Sequence, residues 1–151
     1  ASALHMESKS DSALAADPRF SRAYMNRAMA RLGLGDAAGA LEDGNRAVAF
    51  ASRGTAAEAH AARAAALAAS GDTAAARNEA EAAVPLGVGL GAAPVPFVAL
   101  GDRRRALDLL ENIPTQVARC ASARWPGLAA LRGDPRFERL TAECPWRRRT
   151  P

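Results

Sequence analysis

A chain of 151 residues has room for one ordinary domain, and 49% apolar residues with only 5% aromatic directs its core toward closely packed helices. Alanine supplies much of that apolar count, and β-branched residues are too few for a sheet sandwich. The formal charge of +4 rests on Arg, which makes up 19 of the 20 basic residues; coding bias accounts for it, and a nucleic-acid surface is disfavoured because charge alone gives only non-specific attraction.

In chain order, the opening Ala1-Ser2-Ala3-Leu4-His5-Met6 lacks the basic start and apolar run of a secretory signal and reads as a cloning remnant. Residues 1–12 are set apart as that remnant plus the cut end of an earlier helical unit, whose last turn is the Ala-Leu-Ala-Ala-Asp-Pro of residues 13–18. Tyr24, Ala28 and Leu32 then share one helical stripe, and His60, Ala64 and Ala68 share another. Gly35-Asp36, Gly71-Asp72 and Gly101-Asp102 follow Ala/Leu-rich stretches. Four residues after each Asp stands Ala40, Ala76 or Ala106, and seven further on Ala47, Ala83 or Ile113. The unit is therefore helix, tight turn, helix, with Gly in the left-handed conformation and Asp capping the second helix.

The uncharged stretch 82–101 has the length of a membrane span but holds Pro85, Gly87, Gly89, Gly91, Pro94 and Pro96, which exclude a spanning helix. It reads as a loop and a shortened helix ending near Leu100, with Val88, Leu90, Val95 and Phe97 as the alternative of an apolar lip. Arg103, Arg104 and Arg105 open the next helix against its dipole, a mildly unfavourable cluster read first as a solvated surface of biased composition, with contact to an acidic partner as the alternative. Asp134 caps a helix whose first position is Pro135, and Phe137 and Leu140 supply its apolar side. Trp125 and Trp146 are read as packing at this end, and residues 144–151 as a basic tail carrying Arg147, Arg148 and Arg149.

Cys120 and Cys144 form no CxxC and have no His nearby, so a metal site is disfavoured. A disulfide stays open, but free thiols in a reducing cytosol are the expectation.

The unit "AYMNRAMARLGLGDAAGALEDGNRAV" of residues 23–48 resembles the tetratricopeptide repeat (TPR) family: an early aromatic, Ala28 on the packing face, Gly-Asp, then Ala40 and Ala47. Residues 57–84 fit with His60 in place of the aromatic; residues 97–113 fit only at the turn and second helix. The spacings of 36 and 30 residues between turns bracket the repeat's usual length of about 34. The ending Leu131-Arg132-Gly133-Asp134-Pro135-Arg136-Phe137 is similar to segments closing repeat domains of bacterial Ser/Thr kinases, adenylate cyclases and winged-helix regulators. The resemblance covers residues 13–143. It implies an all-α solenoid of about three repeats with a C-terminal capping helix, cut from a longer, cytoplasmic bacterial protein.

What the resemblance implies for function is protein or peptide binding in a concave groove, in a regulatory or scaffolding role. Its groove positions here are Arg22, Met25, Asn26, Met29 and Leu32 in the first unit, with Glu58, Ala61, Ala62 and Ala65 in the second. Two methionines on one face suit an adaptable apolar surface, or else fill core against a preceding repeat. Asn26 matches the residue that clamps a terminal carboxylate in chaperone-binding members. The basic partners of such a clamp are replaced by Glu58 and Ala62, so that use is disfavoured. His60 is read as a packing residue. No nucleophile with its base, phosphate-binding glycine loop or carboxylate pair stands out, so neither catalysis nor a cofactor is expected. Self-association through exposed repeat ends is the alternative function.

Overall fold

The computed structural model describes residues 2–87 and 92–147, so Val88 and Leu90 of the apolar lip, and Arg148 and Arg149 of the tail, lie outside the described residues. Among the described residues the chain is helical, with no strand. The helices are α1 (Ala3–Ala16), α2 (Ser21–Gly33), α3 (Ala37–Ala49), α4 (Ala56–Ala69), α5 (Thr73–Ala83), α6 (Val95–Ala99), α7 (Arg103–Glu111), α8 (Gln116–Ala123) and α9 (Pro135–Thr141). Tighter 3-10 turns cover Val84–Leu86, Pro126–Leu131 and Pro145–Arg147. Residues 3–6, within the stretch read as a cloning remnant, form the first turn of α1, which Ser2 caps by accepting from the His5 N–H.

The Gly-Asp turns behave alike. Gly35, Gly71 and Gly101 have φ of 82°, 87° and 76°, a region where an L side chain clashes with its own backbone. The next N–H, of Asp36, Asp72 or Asp102, reaches back to the carbonyl of Arg31, Leu67 or Phe97 and closes the preceding helix. The carboxylate of the same Asp then accepts from the Gly39, Ala75 or Arg105 N–H at 2.8–3.1 Å and starts the following helix. At the third turn this bond from the Arg105 N–H, together with Arg77, holds the Asp102 carboxyl below its usual range. A fourth Gly-Asp, which the repeat spacing does not single out, recurs at Gly133 (φ 89°) and Asp134, where Asp134 caps α9.

Helices joined by three-residue turns must run antiparallel, and α1 to α5 pack in sequence, each on the next. Their contacts are lined by small residues: Ala28, Ala40, Ala47, Ala64, Ala76 and Ala83 are all buried. Small side chains let the backbones come close, as at Gly44, where an added Cβ would stand 2.9 Å from the Cα of Arg63. Alanine buries little area, so direction here comes largely from charge pairs. Asp43, fully buried, accepts from Arg27 Nε and Nη2 at 2.9 and 2.8 Å and pairs with Arg31 Nη1 at 3.0 Å. Its hydrogen bond outweighs the effect of burial and raises the Arg27 guanidinium above its ordinary range. The same two arginines reach Asp11 and Glu7 and so tie α1 to the array. Thirty-six residues on, Glu79 takes the place of Asp43, bonded to Arg63 Nε at 2.8 Å and to His60 Nδ1 at 2.6 Å. His60, read from sequence as packing, is thus a half-buried member of a polar pair.

The C-terminal half uses larger residues. Phe97, Leu107, Leu110, Ile113, Leu128, Leu131 and Phe137 are buried in one cluster, against which Trp125, Leu140 and Trp146 pack. The shortened helix ending near Leu100 is α6, only five residues long. The expectation of free thiols is corrected: Cys120 and Cys144 form a disulfide. They stand 24 residues apart in sequence, but the packing of α8 beside α9 brings their Cα atoms to 5.5 Å, with both side chains buried.

Gly44→Ala tests the close approach of α3 and α4. An exposed helix position gains about 0.8–1 kcal/mol from such a change. Here the clash reverses the sign, and urea unfolding is expected to show a loss of about 1–3 kcal/mol; a stabilised variant would mean that the helices separate freely.

Candidate partner-binding trough

Sequence spacing on two helices builds one wall each. On α1, Met6, Lys9, Ser10 and Ala13 recur at helical intervals; on α2, Arg22, Asn26 and Met29 do the same. Between them lie two open cavities that share Met6 and Asn26. The smaller, about 220 Å³, runs toward Phe20, Lys9 and Arg22. The larger, about 390 Å³, runs past Met29 to Ala121, Arg124 and Trp125. Met6, Lys9, Arg124 and Trp125 were not among the expected groove residues. The sequence reading reached only the last turn of α1, not the earlier turns that carry Met6 and Lys9, and no local signal says that α8 returns to α2.

The expected residues divide. Arg22, Asn26 and Met29 face the trough. The Arg22 guanidinium is 3.1 Å from the Glu58 carboxylate, whose Oε2 is enclosed without an aligned hydrogen bond, so the two are held by charge alone. Met25 does not face it. At 3% exposure it sits in the cluster formed by Leu14, Tyr24, Ala59 and Ala62, and Ala62 is buried with it. Leu32 packs half-buried on the main core. Ala61 and Ala65 of the second unit are also covered.

The cover comes partly from the chain itself. Val95, Leu128 and Leu131 share a core cluster with Ala64 and Ala65 of α4, and Met29, Leu32 and Trp125 pack against it. An added Cβ on Gly127 would lie 2.6 Å from Val95 Cγ1 and 3.5 Å from Met29 Cε. The segment 126–131 is therefore seated on α6 and beside α2, and only the stretch next to α1 stays open.

The arginine triplet is largely taken up inside the molecule. Arg103 donates to the Ala130 carbonyl at 2.9 Å and so anchors segment 126–131. Arg105 forks onto Glu81 at 2.9 and 3.2 Å, which raises its guanidinium above the ordinary range, and lies over the Phe97 ring. Arg104 remains exposed.

No protein-family model, curated protein or solved structure matches this chain. The site must be read from its own chemistry. Among the described residues no group of three or more His, Cys, Asp or Glu side chains could hold a metal ion, and no helix is long and apolar enough to cross a membrane. The trough offers two thioethers, an indole, one amide and three cations. That set suits contact with another chain.

The wall carrying Arg124 and Trp125 hangs on α8, which the disulfide fastens to the end of α9. Cys144→Ser, or a reductant on the wild type, is expected to lower unfolding stability by about 2–4 kcal/mol. Chemical denaturation with and without reductant measures this, and identical curves would count against a bridge in the folded protein.

Proposed function

We propose that this chain is a tetratricopeptide-type helical-repeat module that binds a protein or peptide segment, as a regulatory or scaffolding part of a larger bacterial protein, rather than a catalyst. The observation that carries the reading is the trough beside α2, where Asn26 and Met29 stay accessible between α1 and α8. The recurring helix, Gly-Asp turn and helix, with the Arg27–Asp43 pair repeated as Arg63–Glu79, supports the repeat assignment. Thioethers adapt to varied apolar partners, and an exposed amide offers a peptide unit both a donor and an acceptor. The buried disulfide favours an oxidising compartment over the reducing cytosol.

The test uses Met29→Glu, because Met25 is core and its charged variants would unfold the domain. Affinity capture with wild-type protein, followed by titration of the captured partner, is expected to show binding weakened about tenfold or more in the variant. The helical circular dichroism should be unchanged. Equal affinity of the two proteins would sink the groove reading.

Self-association is a second reading, and an adjoining surface favours it. Val117 is 82% exposed and lines, with Pro145 and Trp146, an open cavity of about 670 Å³ along α8 that shares Ala121 and Arg124 with the trough. If copies pair there, sedimentation equilibrium will give a concentration-dependent mass that Val117→Asp abolishes. A monomer at every concentration removes this reading.

A further inference from the structure

Both cavities of the trough are lined without a single carboxylate. Lys9 stands in the cavity toward Phe20 and Arg124 in the cavity toward Trp125. Arg22 is offset by Glu58. Lys9 and Arg124 have no side-chain partner among the described residues, unlike Arg27, Arg31, Arg63, Arg77 and Arg105 elsewhere on the array. Unpaired cations at either end therefore bracket a middle made of Met6, Met29 and the Asn26 amide.

We propose that the occupant of this trough is a short extended acidic segment of a partner protein, with an apolar side chain between two carboxylates. This rests on the groove reading above and adds the chemistry of the partner. One carboxylate meets Lys9 and the other meets Arg124, where an Arg fork can bind bidentately. The apolar residue between them lies on the two methionines and the edge of Trp125. Asn26, at the point the cavities share, takes one peptide unit of the segment through its amide. The arrangement is asymmetric in kind, a flexible ammonium at one end and a planar guanidinium at the other, so it sets the direction of the bound chain. Charge argues against a second copy of this chain as the occupant. The chain carries a formal charge of +4.

The experiment is selection from a phage-displayed library of random peptides on immobilised protein. Enriched peptides are then titrated as fluorescein conjugates at low and high salt against wild type, Lys9→Glu/Arg124→Glu and Met29→Glu. Enrichment of peptides with acids flanking an apolar residue is expected. Their affinity should fall about tenfold or more in the charge-reversed variant and fall with salt. Lys9 and Arg124 are surface residues, so both proteins should keep the same circular dichroism; Lys9→Gln/Arg124→Gln provides the milder control. Peptides with no acidic bias, no enrichment at all, or equal affinity for the charge-reversed variant overturn the proposal. Neutral peptides that bind wild type and not Met29→Glu would leave the groove standing with a different partner. Peptides indifferent to Met29→Glu would remove the groove itself. A dimer in sedimentation that Lys9→Glu alone dissociates and Val117→Asp does not would name a second copy as the occupant and so overturn it too.

Discussion

A single aspartate in each tight turn closes one helix with its backbone N–H and opens the next with its carboxylate. Glycine immediately before it makes the geometry possible, since the chain there turns through positive φ. Because Asp36, Asp72 and Asp102 act in the same way, consecutive helices are forced side by side with short connections. Everything further along depends on that constraint. Ala40, Ala76 and Ala106, four residues past each Asp, and Ala47, Ala83 and Ile113, eleven past, are all buried because the turn fixes the register between neighbouring helices.

Close packing of alanine has a consequence for energetics. The first five helices bury many residues but little side-chain area, so hydrophobic burial there is modest for the number of contacts. The buried Asp43 with its two arginines, and Glu79 with Arg63 and His60, specify how neighbouring helices face one another. Such pairs add little net stability, since desolvation offsets much of the attraction; losing one partner is what costs, about 3–5 kcal/mol. The C-terminal half works by another means, with Phe97, Leu110, Leu128 and Phe137 fully enclosed and a disulfide behind them. One chain thus joins a part directed by polar pairs to a part directed by bulky packing.

The trough lies where these two halves meet. Its α1 and α2 walls belong to the alanine-rich array, and its end wall belongs to the segment after α8. Segment 126–131 packs on α6, which itself packs on α4, so Ala61 and Ala65 of α4 are covered and the accessible surface is confined to the side next to α1. What remains has a narrow chemical character. It is apolar in the middle and cationic at both ends, while Glu7, Asp11, Asp43, Glu58 and Glu79 of the array are each paired with an arginine.

Local pattern was enough for the helix pairs, the three repeated turns, the α9 cap and the brief α6, because each follows from residues a few positions apart. That Arg22, Asn26 and Met29 share one face was legible for the same reason, since they fall on a stripe of a helix whose period is fixed, and the structure places them along the trough. Met25, on the next stripe round, could not be told from them, because which of two adjacent stripes is buried depends on where α1 and α4 pack. The pairing of Cys120 with Cys144, the partners of Arg103 and Arg105, and the return of Trp125 and Arg124 to the side of Met29 join elements 24 to about a hundred residues apart. Sequence alone determined the repeating unit, since short-range sterics and capping act within one turn of helix. Only tertiary structure decided which face stays open, since that depends on the distant segment that comes to lie against it.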